Sequence, residues 1–231
     1  MKCLAGIISM LALAGCATFE PGTSQQAGWA GAWGASPTIP PPGGKAFENQ
    51  TVRQVVRLST GGSAVRIRFT NEYSDKPLDI GAATIAVAGA DGKPTGETLA
   101  LSFGGKASVA IPAGAPLLSD PVALSVKALD SLSISIFLPT ATGPCTCHFA
   151  GTATSYLSGP GDFTRTGFEP ASTFTNRAFI SGVEVTRPDP RTIIAFGDSI
   201  TDGTASTVNA NKRWPDVLAE RLAAAGSPRP I

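Results

Sequence analysis

Hydrophobic and polar positions alternate through much of the chain between residues 50 and 188. VRIRF (65–69) sets Val65, Ile67 and Phe69 against two arginines, and VALSV (122–126) alternates again. In SLSISIFL (131–138), Leu132, Ile134, Ile136 and Leu138 share one face and Ser131, Ser133 and Ser135 share the other. A period of two with one polar face predicts antiparallel sheet, half open to water. Thr60-Gly61-Gly62, Asp91-Gly92-Lys93-Pro94 and Pro112-Ala113-Gly114 separate the runs as turns. Short strands at this spacing predict a mostly β domain over residues 28–188, of β-sandwich or jelly-roll type, without helix.

The pattern changes at RPDPRT (187–192), whose two prolines and flanking charges mark a domain boundary. TIIAF (192–196) is apolar without alternation, as expected of a strand buried on both faces of a parallel sheet. WPDVLAERLAAAG (214–226) then predicts a helix, with Pro215 in its first turn and Gly226 at its stop. Trp214, Leu218, Leu222 and Ala225 fall on one helical face. Strand, loop and amphipathic helix form the first βα unit of an α/β domain starting at residue 189. A parallel strand needs neighbours, and residues 191–231 hold one such unit, so this second domain is expected to be incomplete within the chain.

Composition narrows the function. The 231 residues are 42% hydrophobic, enough for a real core, and 26 Gly with 19 Pro favour turns and short strands over long helices. A net charge of +1 supplies no basic field for nucleic acid. Past the amino terminus, no segment has the roughly 18 consecutive apolar residues of a membrane-spanning helix.

The amino terminus, MKCLAGIISMLALAGC, has a lysine followed by a short apolar run ending in small residues, the layout of a secretory signal over residues 1–15. Leu13-Ala14-Gly15-Cys16 resembles the lipobox of bacterial lipoproteins. That resemblance implies cleavage before Cys16, acylation of its thiol, and a membrane partner reached through the lipid. Ala17 rather than aspartate follows, which in a Gram-negative lipoprotein implies outer-membrane sorting, facing the periplasm or the cell surface. Residues 16–27 are small and polar, a flexible tether. Cys145 and Cys147 then remain in the mature body. A Cys-x-Cys pair is badly spaced for an unstrained disulfide, so the two are expected as strand residues on one face. A strained or redox-active pair is the alternative. Too few Cys and His ligands surround them for a metal site.

The chemistry concentrates in IIAFGDSITDG (193–203). Gly197 lets the chain turn sharply, and Ser199 then projects as a nucleophile, its own backbone N–H serving as one oxyanion donor. Asp198 is placed to cap the turn by accepting backbone N–H groups. FGDSITDG followed by RWPDVLAERL resembles block I of the SGNH (GDSL-type) ester hydrolases. WAGAWGASP (29–37), FENQTVRQVVRLSTGGSAVRIRFTNEY (47–73) and TSYLSGPGDFT (154–164) extend the resemblance to a subgroup with an amino-terminal β-domain. It implies a flavodoxin-like α/β catalytic domain, a small acyl ester of carbohydrate or lipid as substrate, and no metal or cofactor. Only Ser199 is carried over as catalytic. The family's glycine and asparagine oxyanion donors and its Asp-x-x-His lie in later blocks, and Asn209 and Asn211 match none of them. His148, the only histidine, has no Asp-x-x-His around it and is expected as a satisfied loop or interface residue. A non-catalytic lipoprotein with a β-sandwich binding module and a vestigial hydrolase stub is the alternative reading.

Overall fold

The alternation in the sequence becomes antiparallel pairing in a computed structural model of the chain, which describes residues 27–231. The signal segment, Cys16 and all of the tether but its last residue lie outside the described residues. In chain order the strands are β1 (Gly28–Gly34), β2 (Gln50–Arg57), β3 (Val65–Thr70), β4 (Leu78–Ile80), β5 (Ala82–Ala88), β6 (Pro94–Ala100) and β7 (Val109–Ile111). They continue as β8 (Pro116–Leu118), β9 (Ser131–Leu138), β10 (Cys147–His148), β11 (Ser155–Pro160), β12 (Ser172–Phe174), β13 (Arg177–Ala178) and β14 (Ile180–Arg187). One helix, α1 (Trp214–Ala224), follows. Six strands form a sheet in the order β12-β11-β2-β9-β5-β6, and four form another in the order β1-β14-β3-β8. The short pairs β10-β13 and β4-β7 stand beside them.

The two larger sheets turn their apolar faces to one core. Register sets Val52 and Val56 of β2 against Ile136 and Leu132 of β9, and Ile85 of β5 against Ile134. Val65, Ile67 and Phe69 of β3 and Val183 and Val185 of β14 supply the facing side, and all of these residues are buried. The protein is thus mostly β, in several antiparallel sheets. Burial of apolar area of this kind is the dominant favourable term in folding.

Three local expectations are corrected. VALSV forms no strand: Val122 and Val126 touch Val65 and Gly62 only as isolated bridges. The hydroxyl face of β9 is not open to water, because Ser133 and Ser135 are buried. Residues 161–171 fold over it, with Thr84 Oγ1 donating to the Thr164 carbonyl at 2.8 Å and the Arg53 guanidinium 4.3 Å from the Phe168 ring centroid. The two cysteines are not strand neighbours on one face; Cys145 and Cys147 form a disulfide with Cα atoms 5.3 Å apart. Only Cys147 lies in a strand, and the backbone bends at Thr146, bringing the pair within the ordinary disulfide range instead of the ~6.6 Å of two extended residues.

Ile134 sits on the central strand of the larger sheet, fully buried and flanked on both sides. Ile134→Ala should destabilise the fold by about 2–5 kcal/mol, read as a lower urea midpoint with an unchanged slope.

Candidate functional site

The short pair β10-β13 places a histidine and an arginine together. Its register sets His148 directly across from Arg177. The disulfide anchors β10 from one side, and Thr38 reaches the Cys147 carbonyl through both its N–H and its hydroxyl. Buried Gln54 anchors β13: its side-chain amide donates to the Ala178 carbonyl at 2.7 Å and its oxygen accepts the Ala178 N–H at 2.8 Å. The next residue, Phe179, is buried with φ +59, a left-handed conformation that costs a non-glycine residue about 1–2 kcal/mol. This kink separates β13 from β14.

The carboxyl-terminal segment packs over this pair through polar contacts. Asp189 accepts from Arg191 Nε at 2.8 Å and from Arg229 Nη1 at 2.5 Å. Arg57 of β2 pairs with Glu220 of α1 at 2.9 Å, and the Ile231 N–H donates to Ser59 Oγ at 2.8 Å. Asn209 exchanges hydrogen bonds with Thr154, donating to its hydroxyl and accepting its N–H. In α1 the predicted apolar face is covered only in part: Leu218 and Leu222 are half-buried, Trp214 is 45% exposed, Ala225 is exposed, and Ala219 is the buried residue.

Within this segment the expected strand is absent. TIIAF forms no strand: of its backbone groups, only the Ile193 N–H is paired among the described residues, donating to the Pro230 carbonyl at 2.8 Å, and Ile194 is 82% and Phe196 96% exposed. An apolar strand of this kind needs a sheet neighbour on each edge to satisfy its backbone, and none is present there. The following turn is well formed. Asp198 Oδ1 accepts the Ile200 N–H at 3.0 Å, and its carbonyl accepts those of Thr201 and Asp202. At Gly197 a Cβ would run into the Thr201 side chain, and Gly203 takes φ +72 with Arg213 packed against it. Ser199 is exposed on this turn. Among the described residues, neither its hydroxyl nor its backbone N–H has a hydrogen-bond partner.

The turn meets the β10-β13 pair at one contact. His148 Nε2 lies 3.2 Å from Asp202 Oδ1, and His148 Nδ1 lies 2.8 Å from the Ser36 carbonyl. A carbonyl and a carboxylate can only accept, so a neutral imidazole donates to one of them and an imidazolium to both. His148 is therefore an interface residue set between two acceptors. Around this contact lies a cavity of about 490 Å³, lined by Trp33, Arg68, His148, Arg177, Asp202 and Arg213 among others. Gly197 and Thr201 bring the turn to its wall, but Ser199 and Asp198 are not on that wall.

Sequence reasoning pointed to Ser199 and missed Arg177 and Asp202. Asp202 lies inside the quoted motif, and its acid at the end of the turn was the available signal. Arg177 had a weaker one, a single arginine opening the apolar run RAFISGV.

The Arg191 guanidinium beside Asp189, with Arg229, holds that carboxyl well below the usual range. A carboxylate depressed by folding adds stability that is present above its unfolded value and lost as pH falls through the folded one. Hydrogen exchange of residues 191–231 should therefore stay slow as pH drops past the ordinary aspartate value near 4, and accelerate only below it. Asp189→Asn should loosen the segment already at pH 7. No protein-family model matches the chain, and no curated protein matches it.

Proposed function

We propose that the chain is the amino-terminal portion of an exported, lipid-anchored SGNH/GDSL-type ester hydrolase, with Ser199 as nucleophile. The observation that carries the reading is the block FGDSITDG, together with the turn that leaves the Ser199 hydroxyl and N–H both unengaged. The serine oxygen attacks the ester carbonyl, its proton passes to a base, and the alcohol leaves from an acyl-serine that water then hydrolyses. The Ser199 N–H is one donor to the developing oxyanion. The substrate is a small acyl ester of carbohydrate or lipid, and Cys16 carries the lipid that holds the protein at the outer membrane. The β-strands form a sandwich-like amino-terminal domain, and residues 189–231 begin the hydrolase domain.

His148 does not serve as the base. Its nitrogens are committed to Ser36 and Asp202, and no other group near the Ser199 hydroxyl accepts its proton among the described residues. On this reading the base and its acid belong to the Asp-x-x-His block that the family resemblance implies. The lack of any base beside Ser199 also favours a second reading, a non-catalytic lipoprotein whose β-domain is a binding module.

Turnover of p-nitrophenyl acetate separates the two. Residues 1–231 should show no difference between wild type and Ser199→Ala, and a Ser199-dependent rate would mean that a base lies among them. A form extended through an Asp-x-x-His segment should turn over the ester and lose roughly 10³-fold or more on Ser199→Ala. Turnover that survives the substitution would remove the hydrolase reading and leave the binding module.

A further inference from the structure

One arginine lining the cavity over β13 has no carboxylate partner among the described residues. The other three are paired: Arg57 with Glu220, Arg68 with Glu72, and Arg213 with Asp216. Arg177 is only 2% exposed, and its Nε and Nη1 are buried with no hydrogen-bond partner. No carboxylate pairs with it among the described residues. Its flat guanidinium lies 5.8 Å from the Trp33 ring centroid, on the cavity wall. Burial, with a smaller push from Arg213, lowers it to about 9, so it still carries its charge at neutral pH. A buried charge without a partner is strongly destabilising, and proteins keep one where a ligand supplies the counter-charge.

We propose that this cavity binds a small organic carboxylate, with Arg177 as its anchor. Arg177 is the one arginine of the wall without a carboxylate partner among the described residues, and a single anionic group answers it. Asp202 and Asp216 also line the cavity, and their negative charge works more strongly against a dianion such as phosphate than against a monoanion. The planar guanidinium fits the planar carboxylate through paired N–H donors. Trp33, Leu58, Pro215 and Ala219 line the remaining space and accept an apolar body, and the volume is that of a small-molecule pocket. The site stands apart from Ser199, so it does not rest on the hydrolase reading.

Isothermal titration of the full chain at pH 7 and constant ionic strength, with acetate, butyrate, benzoate, benzamide and phosphate, tests the site. At least one carboxylate should bind saturably, benzoate about tenfold or more tighter than neutral benzamide, and phosphate more weakly than the best carboxylate. Arg177→Met should abolish binding. Arg177→Lys, which keeps the charge and loses the planar fork, should weaken it about tenfold. Arg165→Gln, at an exposed position, should leave it unchanged. The proposal fails if no carboxylate binds, if benzamide equals benzoate, if phosphate binds as tightly as the carboxylates, or if folded Arg177→Met retains binding. If Arg177→Met does not fold, the benzoate–benzamide comparison and Arg177→Lys decide the question.

Discussion

The contact between His148 and Asp202 is the constraint around which the carboxyl-terminal half is arranged. It is one contact 3.2 Å long, and its worth comes from where its two ends are fixed. His148 stands on β10, which the Cys145–Cys147 disulfide and Thr38 hold in place. Asp202 stands on a turn wound by Asp198 and closed by Gly203. Joining two elements already fixed loses little conformational freedom, so the contact is more effective than an exposed pair between long, mobile side chains.

The same cross-strand pair supplies the charge that the cavity encloses. Gln54 holds Ala178 through two hydrogen bonds, and that fixes the residue before it, Arg177, against Trp33. The site and the fold are built from the same register: His148 opposite Arg177 follows from Cys147 opposite Ala178. A slip of one residue would send both side chains to the other face. The left-handed Phe179 prevents β13 from running straight into β14 and so fixes the register at that point.

Much of the β architecture was legible because its strands alternate cleanly. VRIRF and SLSISIFL became β3 and β9 with the predicted residues turned to the core. What lies over the polar face of β9 was not legible, since its cover comes from Phe163, Thr164 and Phe168, remote in sequence and without periodicity. TIIAF shows the limit of reading a strand from apolar content: five suitable residues make a strand only when another edge is there to pair. The turn at Ser199 was legible residue by residue, because glycine and aspartate act locally. The depth of Arg177 was not, because it depends on Gln54 and Trp33 in other parts of the chain. The disulfide was misjudged on spacing, which assumes an extended backbone that the bend at Thr146 does not provide.

A double-mutant cycle on His148 and Asp202 tests this account most directly. His148→Gln, Asp202→Asn and the double variant would be compared by native-state hydrogen exchange of the amides from Thr201 to Gly203. If the contact holds the turn, the two substitutions are non-additive, with a coupling of about 0.5–3 kcal/mol favouring the wild-type pair. Additive effects, or a turn that exchanges no faster in either single variant, would contradict it and leave the carboxyl-terminal segment held by the Asp189, Glu220 and Asn209 contacts alone.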